Sequence, residues 1–83
     1  MNTNQVLIHL QEVFDQVFLD PVILTSELSA NDVPEWDSLT HISLLVAVEK
    51  AFSIRFLTGE VEKTGNIGEF CHLIQRRVSA KNA

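Results

Sequence analysis

Between Val6 and Phe18 apolar residues return every three or four positions (Val6, Leu7, Leu10, Val13, Phe14, Val17, Phe18), after an Asn/Thr-rich start. That spacing predicts an amphipathic helix ending near Leu19, where Asp20-Pro21 stops it. A second periodic stretch runs from Leu39 to Phe52 and carries two apolar stripes on a helical wheel. The broader passes through His41, Leu44, Leu45, Val48 and Phe52, the narrower through Leu39, Ile42 and Val46. One stripe suffices for a core, so the broad one is assigned inward and the narrow one is expected to stay partly exposed. Asp37 fits the N-cap of this helix, which makes Ser38 its first residue, hydroxyl outward. A last helix is predicted from the capping run Asn66-Ile67-Gly68-Glu69, with Ile67, Phe70, Cys71, Ile74 and Val78 on one face, Arg76-Arg77 near its end and Ser79 to Ala83 frayed.

The stretches between these helices are less regular. From Pro21 to Trp36 the periodicity fails, yet Val22, Ile23, Leu24 and Leu28 are too apolar for a free linker, so an ordered loop is expected against the helices. Within it Ser29-Ala30-Asn31-Asp32 has the spacing of one capped helical turn, and the ring of Trp36 is expected to pin the loop down. Ile54, Phe56 and Leu57 alternate with polar neighbours as a strand would, but a strand without a partner is not viable, which leaves an extended connector. Thr58 to Lys63 predicts a short, weak helix stopped at Gly65. The expected class is all-α.

Eighty-three residues make one domain, 1–83, which by general scaling buries only about 60% of its unfolded surface. One cysteine permits no internal disulfide, and no charged start leads into an unbroken apolar run, so a reducing, cytoplasmic setting is expected. No apolar run approaches the roughly 18 residues that span a bilayer. The net charge of −5 is unevenly placed: residues 1–49 hold eight acidic side chains and no Lys or Arg, while residues 50–83 carry six basic against three acidic ones. An acidic field of this kind repels phosphate backbones and attracts basic protein surfaces, which argues against nucleic acid as a partner.

Candidate chemistry is sparse. Ser38 and His41 lie close enough on one helix for nucleophile and base, but nothing is placed to orient the histidine, and the G-x-S-x-G elbow is absent. No catalytic residue is expected. Cys71-His72 lacks metal-ligand spacing, His9 is expected to be solvated or capping, and no metal site is expected. A serine at a helix N-terminus does suit a phosphodiester installed by another enzyme, since the dipole and the first-turn amides favour the anion.

Asp37-Ser38-Leu39 opening the second helix, after an apolar first helix and an acidic loop, resembles the acyl carrier proteins, and the likeness continues through Val46-Ala47-Val48-Glu49-Lys50-Ala51-Phe52 to the last capped helix. The resemblance implies a four-helix bundle of acyl-carrier type with a long ordered loop between helices 1 and 2 and a short third helix. It implies that Ser38, flanked by Asp37 and Leu39, receives 4'-phosphopantetheine from coenzyme A and that the arm holds acyl groups as thioesters, in a carrier and not an enzyme. A phosphopantetheinyl transferase and the acyl-loading and acyl-transferring enzymes of a biosynthetic pathway, of fatty-acid or polyketide type, are the implied partners, met by a monomer through Leu39, Ile42, Val46 and Glu49. His41, Leu44, Val48 and Ile54 are expected to line an acyl pocket, where an unpaired imidazole at His41 would favour short or polar cargo, whereas a ring turned outward to help neutralise the phosphodiester would leave cargo length unconstrained. An aminoacyl or peptidyl carrier shares the serine, and an unmodified helical adaptor would share the exposed stripe.

Overall fold

The computed structural model describes residues 2–82, and among them the regular elements are helical: α1 (Thr3–Val17), α2 (Ser38–Phe52) and α3 (Ile67–Asn82), with single 3-10 turns at Ala30–Asp32 and Val61–Lys63. Helix α1 packs against both others. Its Val6, Leu10, Val13 and Phe14 meet Leu44, Val48 and Phe52 of α2 and Ile67, Phe70, Cys71, Leu73, Ile74 and Val78 of α3 in one core. The broad stripe of the second helix thus supplies the core positions, as its spacing predicts.

Helix α1 begins in a capping box, the Asn2 side chain accepting from the Gln5 amide while Gln5 Oε1 accepts from the Asn2 amide. It ends at Val17, short of the expected Leu19, because Phe18 leaves the helix to stack its buried ring on Phe14 and to meet the edge of Trp36. The amides of Leu19 and Asp20, lost to the helix, donate instead to the carboxylate of Glu35 at 2.9 and 3.2 Å.

Three devices hold the 18–37 loop to the helices. Gln11 of α1 clamps its backbone, donating to the Val22 carbonyl at 2.7 Å and accepting from the Leu24 amide at 3.0 Å. Trp36 sets its ring edge-on against Phe14, centroids 5.4 Å apart. The carbonyls of Ser26 and Leu28 accept from the Gly68 and Ile67 amides at 2.9 and 2.8 Å, so the loop satisfies donors that the start of α3 leaves open. Gly68 permits that approach, since a Cβ there would stand 3.2 Å from the Ser26 carbonyl oxygen.

The helix expected at 58–63 is a 3-10 turn confined to Val61–Lys63, so among the described residues the bundle has three α-helices where four were expected. Gly59 has φ +80°, which a right-handed helix cannot include, and the Glu60 amide closes a turn onto the Leu57 carbonyl. Buried Val61 anchors what remains. The connector before it starts at Ser53, whose left-handed φ of 55° costs about 1 to 2 kcal/mol in a residue other than glycine. One expectation elsewhere is corrected: helix α3 stays helical to Asn82, with Lys81 Nζ donating to the Phe52 carbonyl at the end of α2, while Ala83 lies outside the described residues. His9 is half-buried, with its ring 4.6 Å from that of Phe52.

Candidate functional site

Helix α2 begins where the sequence places it. Asp37 is the N-cap, with Oδ1 accepting from the Thr40 amide at 2.9 Å, and Ser38 follows as the first helical residue. Ser38 is exposed, and its hydroxyl has no hydrogen-bond partner among the described residues. The Thr40 amide, and after it the Thr40 hydroxyl, hold the Asp37 carboxyl below its ordinary pKa, so Asp37 is a carboxylate and spends its charge on the helix terminus.

A cavity of about 650 Å³ opens beside Ser38. Its apolar lining comes from Leu28, Trp36, Ile42, Val61, Ile67 and Phe70, its polar lining from Asp37, Ser38, His41, Glu62, Thr64 and Asn66 among others. Of His41, Leu44, Val48 and Ile54, only His41 borders this cavity. Leu44 and Val48 are wholly buried in the core against α1 and α3, and Ile54 borders a different cleft toward the other end of α2, with Lys50, Arg55 and Lys81. Leu28, Val61, Ile67 and Phe70 take their place. They converge because the 18–37 loop bonds to the start of α3, a contact between distant segments that no local spacing announces.

His41 is doubly held. Trp36 Nε1 donates to its Nδ1 at 3.0 Å, and its Nε2 meets Glu62 Oε2. Indole N–H is a donor only, so Nδ1 is the unprotonated acceptor and the ring proton sits on Nε2, donated to the carboxylate. Neither nitrogen is left to accept a proton from Ser38, which removes the serine–histidine pairing considered above. It also removes the reason for restricting cargo to short or polar groups, because no ring nitrogen lacks a partner.

The narrow stripe is exposed: Leu39 at 77%, Ile42 at 61% and Val46 at 46%, running along α2 from the residue after Ser38. Glu49 does not join it as a free charge, for its Oε2 accepts from the Phe56 amide at 2.9 Å and fixes the connector. Cys71 is buried in the core, which pushes its thiol up to about 11. Among the described residues no His/Cys/Asp/Glu group could hold a metal, and no helix is long and apolar enough to cross a membrane.

Two further carboxylates are held below their ordinary pKa, Glu60 by the Leu57 amide and then by Arg77, and Glu62 by the hydrogen bond from His41. A depressed folded value contributes stability above the unfolded carboxylate range near 4, and the contribution disappears as pH falls through the folded value. The thermal midpoint should therefore drop below about pH 4, and drop less in Glu60→Gln and Glu62→Gln. Identical acid profiles for these variants and the wild type would contradict the assignment.

No family model and no curated protein matches the chain. Among solved structures it is similar to the solution NMR structure of the holo acyl carrier protein from Geobacter metallireducens, at 35% identity over 95% of this chain and 87% of that one, with a TM-score of 0.74. The chain belongs to the acyl carrier protein family.

Proposed function

We propose that this protein carries acyl intermediates as thioesters on a 4'-phosphopantetheine arm joined to Ser38, and presents them to partner enzymes of a biosynthetic pathway in the cytoplasm. The observation that carries the reading is the exposed, unpartnered Ser38 hydroxyl beside a largely apolar cavity, in a chain of this family. The residues fit the group. Ser38 offers an accessible oxygen at the positive end of α2, and the cavity offers an apolar lining within reach of the same residue. When bound, the arm supplies the thiol on which acyl groups are held. The chain's own residues present and shelter: Asp37 fixes the helix start, Ser38 provides the attachment oxygen, and Leu28, Val61, Ile67 and Phe70 provide the apolar surface.

Incubation with coenzyme A and a phosphopantetheinyl transferase should raise the intact mass by one arm, and an unchanged mass would favour an unmodified adaptor. The exposed Leu39, Ile42 and Val46 are the surface that we assign to the transferase and to the acyl-loading and acyl-transferring enzymes. Because residues 1–49 contain no basic side chain, encounter with a basic enzyme surface should be electrostatically steered. Modification should slow as ionic strength rises past about 0.1 M, where exposed charges are screened over about 10 Å, and a salt-independent rate would remove the steering. Salt is a cleaner probe than charge reversal at Glu35 or Glu49, since both carboxylates hold backbone amides in place.

A further inference from the structure

Three separate segments are tied together at the lining of the cavity beside Ser38. Trp36 comes from the loop before α2, His41 from the start of α2, and Glu62 from the Val61–Lys63 turn. Among the described residues the His41–Glu62 contact is the only hydrogen bond between that turn and α2. Trp36 decides its direction: by occupying Nδ1 it leaves the proton on Nε2, aimed at the Glu62 carboxylate. The Glu62 side chain is half exposed and that of His41 mostly buried, so the pair stands where the cavity lining meets solvent. With the contact made, the cavity already has the size of an ordinary small-molecule site, about 300 to 1,000 Å³.

We infer that His41 and Glu62 form a latch holding the Val61–Lys63 turn against α2, and that the latch walls apolar cargo into the cavity beside Ser38. This rests on the carrier reading above. Val61 is the part of the turn that matters for cargo, because it is both buried and part of the apolar lining. The turn is short, lies between Gly59 and Gly65, and has its neighbour Glu60 paired with Arg77 of α3, so beyond the packing of Val61 its polar hold on α2 comes from Glu62. His41 is a suitable wall for an apolar chain, since both its nitrogens are partnered and the ring offers no unsatisfied polar atom. His41 and Glu62 are thus positioning residues, and the cargo class they suit is an apolar acyl chain long enough to enter the cavity.

Wild type, Glu62→Ala and Glu62→Gln are to be loaded with acetyl and with octanoyl arms, loading confirmed by intact mass, and the thioester challenged with hydroxylamine. Glu62 is half exposed, so its truncation leaves the core intact. Glu62→Ala should release octanoyl several-fold faster than wild type while acetyl release is unchanged, and Glu62→Gln, whose amide oxygen still accepts from Nε2–H, should restore the slow octanoyl rate. Equal octanoyl rates in wild type and Glu62→Ala would overturn the latch, as would equal acceleration of both chain lengths or a Glu62→Gln rate as fast as that of Glu62→Ala. Failure of every variant to gain mass would instead overturn the carrier reading.

Discussion

Leu44→Asp should unfold the domain, whereas Ile42→Asp, two residues earlier on the same helix, should leave it folded and impair transfer to partner enzymes. Leu44 is fully buried between α2 and the other helices, and a carboxylate there would lose the leucine's apolar contacts and stand unpaired in the core. Losing the side chain alone costs about 2 to 5 kcal/mol, and burying the charge adds several more. An 83-residue domain at the usual 0.05 to 0.15 kcal/mol per residue holds only about 4 to 12 kcal/mol in total. Ile42 is 61% exposed, so the same change leaves its charge hydrated and shifts stability by about 1 kcal/mol or less. Circular-dichroism melts separate the two, and transfer assays on folded Leu39→Asp and Val46→Asp, which lie outside the lining of the cavity beside Ser38, then measure docking. Unfolding of Ile42→Asp would refute the assignment of the stripe to partners, and a folded, fully stable Leu44→Asp would refute the core.

The start of α2 was legible because it is local. An aspartate at the cap and a serine after it obey rules that need no tertiary contact, and the two stripes of the following helix separate by angle alone. The short third helix was misjudged because its boundary depends on Gly59, which here takes a left-handed turn instead of being tolerated within a helix. Glu35 and Glu49 look like surface charges in the sequence, yet each carboxylate accepts from backbone amides that only the folded chain brings near, those of Leu19, Asp20 and Phe56. The cavity shows the same limit. Leu28 and Ile67 lie 39 positions apart and are joined by a backbone hydrogen bond, whereas the expected pocket was drawn mainly from one stripe of α2. His41 shows it too, since Trp36 and Glu62, distant from one another in the sequence, give both nitrogens of its ring a partner.

Ser38→Ala should abolish attachment of the arm while leaving the thermal midpoint nearly unchanged, because the residue is exposed and its hydroxyl supports nothing else among the described residues. Loss of that oxygen makes the effect all-or-none. Ser43 provides the control, being a second exposed serine on the same helix. The direct measurement is peptide mapping by mass spectrometry after treatment of wild type, Ser38→Ala and Ser43→Ala with coenzyme A and a phosphopantetheinyl transferase. The account predicts one arm on the fragment containing Ser38 in wild type and Ser43→Ala and none anywhere in Ser38→Ala, whereas an arm on any other fragment, or one retained in Ser38→Ala, would contradict it.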